Sequence, residues 1–211
     1  MIACSLHDAT GADVSRETSR RISTFVSLLD KWQKAINLVS KSTIDEVMHR
    51  HIIDSAQLMR YCRHEDGVWL DMGSGGGFPG LVCAILAQDT HPDLAFTLVE
   101  SDGRKCAFLQ QAVRQLDIPV GIRNERIENL PPLGASIISA RALAPLPVLL
   151  GLTDKHLSSG GQALFLKGLR HREELAACKE DWDMTVEIFP SMTSSGSAIL
   201  SITGLTNVAA R

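Results

Sequence analysis

Residues 71–80 read Asp71-Met72-Gly73-Ser74-Gly75-Gly76-Gly77-Phe78-Pro79-Gly80, five glycines in ten positions. The run follows a short apolar segment, Val68–Met72, and precedes a helical pattern that begins near Pro79. Glycine lacks a Cβ, so the backbone there can take positive φ and a ligand can lie against bare amide groups at a helix N-terminus. A sharp turn needs only one or two glycines. Five of them, between a strand and a helix, point to a ligand cradle and commit the chain to an α/β fold.

The pattern downstream agrees. Short apolar strands are expected at Val68–Met72, Phe96–Glu100, Val120–Arg123, Ile137–Ala140, Ala163–Lys167, Thr185–Phe189 and Ile199–Thr203. Helices are expected from about Pro79, over Arg104–Leu116, near Pro147–His156 and near Glu173–Lys179. No helix separates the last two strands, which predicts a mostly parallel sheet of seven strands ending in an antiparallel hairpin at one edge. Upstream, Ile22, Phe25, Val26, Leu29, Trp32 and Ile36 fall at helical spacing, and a second helix is expected from about Thr43 to Tyr61. Residues 1–16 show no usable periodicity and are expected to be a loose arm. The organisation is therefore an arm (1–16), a helical extension (17–66) and an α/β unit (67–206).

Gly75–Gly80 formally matches the dinucleotide pattern G-x-G-x-x-G, which is weak evidence by itself. Asp71 is an anion at the strand's end, unwelcome beside a pyrophosphate and suited to an ammonium group. Glu100 ends the next strand, where a carboxylate can accept from both ribose hydroxyls. Asp71 favours S-adenosylmethionine over NAD, with Gly73, Gly75 and Gly77 as the bare wall. A P-loop is excluded because no Gly-Lys-Ser/Thr follows. Arg141 is the only charged residue between Glu128 and Asp154. A guanidinium in such apolar company must be paired, and at the end of the fourth strand it sits where open α/β sheets bind ligands. Arg126-Ile127-Glu128, past the third strand, reaches the same edge.

The chain has 211 residues, a formal charge of -3 and a pI near 6.2, so no uniformly basic surface advertises a nucleic acid. The charge is uneven, however. Residues 18–63 carry eight basic and four acidic side chains, whereas 173–187 carry six acids and one lysine. Five scattered cysteines form no Cys-x-x-Cys and no metal-ligand spacing, so reduced thiols in a cytoplasmic protein are expected and no metal. The N-terminus lacks a basic n-region and no apolar run reaches membrane-spanning length, so neither a signal peptide nor a membrane span is expected.

Several motifs, in order, resemble the bacterial small-subunit rRNA guanine-N7 methyltransferases, first named the glucose-inhibited division protein B family. The likeness runs from about Trp32 to Gly168 through Asn37-Leu38-Val39-Ser40, Arg50-His51-Ile52-Ile53-Asp54-Ser55, the glycine loop with Phe78-Pro79-Gly80, Arg126-Ile127-Glu128, Arg141-Ala142-Leu143-Ala144 and Leu166-Lys167-Gly168. The resemblance implies a class I, Rossmann-like methyltransferase fold with an N-terminal helical extension. It also implies S-adenosylmethionine contacts at Gly73, Phe78, Ile127, Glu128 and Arg141, and methyl transfer to N7 of a guanine in 16S rRNA, within the small ribosomal subunit or an assembly intermediate. Two departures stand out: Ala56 where the family more often has Leu, and an uncharged Pro190–Ala198 loop where many members carry basic residues.

N7 of guanine carries a lone pair and no proton, so its methylation needs no general base, and Arg141, Lys167, His51 and Asp54 are expected to position rather than to titrate. His51 and Asp54 are read as a satisfied pair that orients its helix. The Asn-Pro-Pro-aromatic signature of amino methylation and the Pro-Cys turn of cytosine C5 methylation are both lacking. Lys31, Lys34, Arg50, Arg123, Arg126 and Lys167 are expected to meet phosphates, with an aromatic or arginine plane stacked on the target base. A monomer is expected. The competing readings are a NAD-binding oxidoreductase and a non-catalytic nucleotide-binding, ribosome-associated module.

Overall fold

The computed structural model describes residues 2–40, 43 and 45–208. Strand β1 spans Asp66–Met72, β2 Asp93–Glu100, β3 Val120–Asn124, β4 Ala135–Arg141, β5 Leu157–Lys167, β6 Trp182–Pro190 and β7 Ala198–Asn207. They form one sheet in the order β3-β2-β1-β4-β5-β7-β6. The pairs among β1 to β5 are parallel, and β7 runs antiparallel to both β5 and β6. The hairpin therefore folds back so that β7 lies inside and β6 forms the edge. A doubly wound dinucleotide sheet ends its order at strands 4, 5 and 6; the inserted antiparallel β7 departs from that plan.

Both faces of the sheet are covered, as alternation along each strand requires. Trp69, Leu98, Ile137, Leu164 and Ile199 face one layer. Leu70, Val99, Ile138, Ala163 and Leu200 face the other. On the first side lie α4 (Gly80–Thr90) and α5 (Gly103–Leu116), and on the second α6 (Leu146–His156) and α7 (His171–Cys178). Chain order reverses between β1 and β4, so the carboxyl ends of these two strands flank the switch point where such sheets bind ligands. The glycine loop leaves one of them and Arg141 ends the other.

The N-terminal region differs from expectation in two places. Helix α1 (Ile2–Thr10) occupies what reads as a loose arm, and Leu6 and Ala9 are fully buried against the helical extension. Only two apolar positions one turn apart are needed to dock so short a helix, too few to register as a period. Helix α2 (Arg16–Gln33) begins after Ser15, whose hydroxyl accepts from the Thr18 amide at 3.0 Å. The second helix is not one regular α-helix over 43–61. It is a π-turn (Met48–Ile53), a single α-turn α3 (Asp54–Ala56) and a 3₁₀ stretch (Gln57–Tyr61). Its apolar and acidic signals were sound, but side-chain demands at the site set its pitch. No helix of the described residues is long and apolar enough to cross a membrane.

Because Leu6 is completely enclosed, Leu6→Ala should cost about 2–4 kcal/mol of unfolding free energy. Urea denaturation checks this, and an unchanged midpoint would restore the loose-arm reading.

Candidate active site

The glycine loop is tied to the neighbouring strand by its own backbone. The Gly73 and Ser74 amides both donate to the Val99 carbonyl, at 2.9 and 3.1 Å. Gly73 and Gly75 hold φ of +69° and +54°, in the left-handed region where a Cβ is costly. A Cβ on Gly73 would also strike Leu143 Cδ1 at 2.6 Å. The loop bounds a cavity of about 450 Å³ lined also by Leu38–Ser40, Phe78, Glu100, Arg126–Glu128 and Arg141–Leu143. Glu100 is nearly buried and uses its carboxylate to hold the loop. Oε2 accepts from Gly75 N–H at 2.9 Å and Oε1 from Asp102 N–H at 2.8 Å. Two of about four lone-pair directions remain for a ligand's hydroxyls.

Asp71 and Gly77 are not where the sequence reading puts them. Neither lines the cavity. Gly77 turns inward, where a Cβ would meet Leu81 and Phe25 at 3.1 Å. Asp71 is fully buried beneath the cradle, its Oδ1 accepting from Ser139 Oγ at 2.6 Å while Ser139 Oγ accepts from the Trp69 indole N–H at 2.8 Å. Its Oδ2 has no hydrogen-bond partner among the described residues and abuts the start of α4, where a Cβ on Gly80 would lie 2.6 Å from it. Burial raises the Asp71 carboxyl to a pKa of about 6 despite the Ser139 bond. Asp71 therefore lies beneath the cradle and outside the lining of the cavity.

Arg141 closes the cavity on the other side. Its Nη2 donates to His51 Nδ1 at 2.7 Å, and its Nη1 to the Arg50 carbonyl at 3.2 Å and Asp54 Oδ2 at 3.5 Å. The guanidinium carbon lies 4.9 Å from the centre of the Phe78 ring. Because Arg has no acceptor, His51 Nδ1 must carry a lone pair, which leaves its proton on Nε2, 2.8 Å from Thr43 Oγ1. Burial and then the Arg141 charge lower His51 to a pKa of about 4, so it is neutral at physiological pH. Asp54 is likewise engaged: Oδ1 accepts from Thr193 Oγ at 2.6 Å and from Ser191 Oγ at 3.4 Å. His51 and Asp54 are thus a fixed pair on one short segment, both turned toward Arg141.

The remaining expected residues divide. Ile127 and Glu128 line the cavity beside the exposed Arg126. Arg50 is exposed and lines a second cavity, about 810 Å³, that meets the first across His51, Arg141 and Ala142. Lys167 turns inward, its Nζ 2.6 Å from Glu174 and 3.2 Å from the Ala144 carbonyl, so its charge is already matched. Lys31, Lys34 and Arg123 are exposed but line neither cavity, and Lys34 pairs with Asp30 at 3.5 Å. Lys41 of the basic stretch lies outside the described residues. Sequence reading missed the roof. The Gln33 side chain accepts from the Leu38 and Val39 amides at 2.9 and 3.0 Å and donates back to the Val39 carbonyl, pressing this loop onto Gly76. The Asn37–Ser40 motif and a half-buried polar residue in α2's last turn were the available signals.

A family model described as rRNA small subunit methyltransferase G matches residues 18–202. The chain belongs to that family. The methyltransferase G relative from Cereibacter sphaeroides strain ATCC 17029 is 48% identical over 93% of this chain and 95% of its own. That from Ruegeria pomeroyi is 47% identical over 95% and 98%. Among solved structures, M. jannaschii TYW2 in complex with AdoMet superposes with a TM-score of 0.57 at 14% identity, over 83% of this chain and 80% of that one. The tRNA (m1A58) methyltransferase TrmI from Aquifex aeolicus gives 0.52 at 14%, over 68% and 64%. At such identity these two speak for the fold alone, the seven-stranded class I methyltransferase sheet with antiparallel β7.

Two of the shifted groups at the site, His51 and Asp71, oppose each other. His51, depressed from 6.5 to about 4, makes folding more favourable as pH rises through that window, whereas Asp71, raised from 3.8 to about 6, makes it less favourable as pH rises. Wild type should therefore gain stability relative to His51→Gln, and lose it relative to Asp71→Asn, as pH is raised across these windows. Denaturant titrations at several pH values read both signs.

Proposed function

We propose that this chain transfers the methyl group of S-adenosylmethionine to N7 of a guanine in 16S rRNA, acting in the cytoplasm as a monomer on the small ribosomal subunit or an assembly intermediate. What carries the reading is the shared wall of the two cavities: a side-chain-free cradle on one side, an open cationic groove on the other, and Arg141 fixed between them. Family membership over residues 18–202 supports the same reaction and disfavours both a NAD-dependent oxidoreductase and a non-catalytic module.

The residues present fit the cofactor. The cavity of about 450 Å³ is in the range of small-ligand sites. Gly73, Gly75 and Gly76 would meet its amino-acid part with bare backbone, Glu100 its ribose hydroxyls, and Ile127 with Glu128 its base. When bound, S-adenosylmethionine supplies an electrophilic methyl on a sulfonium. Asp71, mostly ionised at neutral pH, lays a negative potential under the cradle that favours a cationic occupant. Arg141 is anchored by three acceptors and stacked near Phe78, so it can form a rigid edge against which the acceptor base is aligned. Alignment of this kind can contribute up to about 7–11 kcal/mol to a bimolecular step. His51 and Asp54 are both committed to Arg141 and to hydroxyls, an arrangement suited to an acceptor nitrogen that has no proton to lose.

The test is incubation with radiolabelled S-adenosylmethionine and unmethylated small subunits or naked 16S rRNA, followed by mapping of the methylated base. Label on guanine N7 is expected; label on another atom, or none, rejects the assignment. Single-turnover rates at saturating cofactor should be pH-independent above about pH 7. Cofactor affinity should weaken as pH falls through about 6, where Asp71 takes up a proton. Asp71→Asn should remove that dependence, as read by calorimetric titration of cofactor at pH values on either side.

A further inference from the structure

The second cavity is formed by four parts of the chain remote in sequence: the π-turn with Arg50 and His51, the end of β4 with Arg141 and Ala142, the β5–α7 turn with Gly168, Leu169 and Arg170, and the β6–β7 loop with Ser191, Thr193, Ser194 and Ser197. We infer that the β5–α7 turn is the acceptor-nucleotide platform, with Leu169 under the base of a single unstacked RNA nucleotide and Arg170 and Arg50 on its phosphates. The inference rests on the methyl-transfer reading above and adds which residues hold the acceptor.

Four observations carry it. The groove shares His51, Arg141 and Ala142 with the lining of the cofactor cavity, so the two cavities meet at one wall. Its charges have been sorted. Lys167 is matched by Glu174, and Arg141 by Asp54, leaving Arg50 and Arg170 as exposed guanidiniums with no ion pair among the described residues. Unmatched guanidiniums at a cavity rim are what a phosphate backbone requires. Leu169 is 76% exposed, the most exposed large apolar side chain among the described residues, and a close neighbour across the groove is the β6–β7 loop. Gly196 of the β6–β7 loop, at φ +78°, approaches so closely that a Cβ there would lie 2.4 Å from Leu169 Cδ2. That loop is in turn clamped by Thr193 on Asp54 and by the Met192 amide on Gln57 Oε1 at 2.7 Å. A solvent-facing apolar side chain in a groove that also holds two guanidiniums without an ion pair suits a base face.

The lining holds no Phe, Tyr or Trp among the described residues. Aromatic stacking, the commoner way to hold a splayed base, has no candidate in this groove, and Leu169 with the neighbouring guanidiniums takes its place. Ala142 adds a fourth sign. It holds φ +53° on the shared wall, a left-handed conformation unusual outside glycine and concentrated at sites where geometry is over-determined.

The experiment compares wild type, Leu169→Ser, Arg170→Ala and, as a charge-matched control on the exposed end of α7, Lys179→Ala. All are read for KM and kcat on unmethylated 16S rRNA, for salt dependence of RNA binding, and for S-adenosylmethionine affinity by calorimetry. Leu169→Ser and Arg170→Ala should raise KM for RNA at least about fivefold, and Arg170→Ala should lower the salt slope by about one. Cofactor affinity and melting temperature should stay at wild-type values, as should every parameter of Lys179→Ala. If KM for RNA in both variants stays below that threshold while wild type methylates, the platform assignment is overturned and the methyl-transfer reading stands. If wild type binds cofactor and methylates no RNA, the reading beneath it fails first.

Discussion

A guanidinium at the carboxyl end of a central strand cannot be satisfied by the sheet that delivers it, and much of this molecule's upper surface is organised around that debt. Arg141 leaves β4 from an otherwise apolar stretch, and its partners come from a segment some ninety residues earlier: the Arg50 carbonyl, His51 Nδ1 and Asp54. Pairing draws the π-turn over the edge of the sheet. Asp54, held there, binds Thr193 and Ser191 and so brings in the β6–β7 loop. One unmatched charge thus joins three otherwise separate pieces and divides the surface into two cavities. Losing one partner would strand the others, since a half-satisfied buried network costs more than an apolar one.

The same constraint accounts for the irregular pitch of residues 48–61. A regular α-helix turns by 3.6 residues, and its satisfied backbone carbonyls are directed along its axis. Here the Arg50 carbonyl also accepts from Arg141 while His51 presents Nδ1 to it. A wider turn relaxes the ladder enough to allow both, as π-segments at functional sites commonly do. Nothing in the apolar spacing of Ile52, Ile53, Ala56 and Leu58 distinguishes that turn from an α-helix. It follows from a partner distant in sequence, so local pattern does not contain it.

Legibility was greatest where a demand is local. The strands and helices from β1 to β7 follow from alternation and from glycine and proline punctuation, and the closing antiparallel hairpin from the lack of a helix between its strands. Glu100 was recognisable from its place at a strand end, and Arg141 from its isolation among apolar neighbours. Asp71 stands at a strand end as its sequence position implies, but its carboxylate is buried beneath the loop instead of lining the cavity. Strand alternation sets which face a side chain takes, and at the last turn before a glycine loop that face is decided by how the loop folds back. The Leu38–Ser40 segment is recognisable as a motif, but its place as a roof is not, because Gln33 holds it through three hydrogen bonds to backbone atoms, which carry no side-chain signature.

The buried Asp71 explains how a cradle of bare amides can suit a cation. Amides at a helix start favour anions, so the loop taken alone would select a phosphate or carboxylate. A carboxylate sealed beneath it, with one oxygen bonded to Ser139 and the other unpartnered against Gly80, opposes that preference. A directly exposed acid would be screened by water and would compete for contacts with the ligand; a sealed one acts through a medium of lower dielectric. The cost of sealing it appears as its raised pKa. On the proposed reading, preference for a sulfonium nucleoside over a dinucleotide would rest on a group outside the cavity's lining. On that reading the amides would remain available for the amino acid's carboxylate, while the field from below would suit its positive charges.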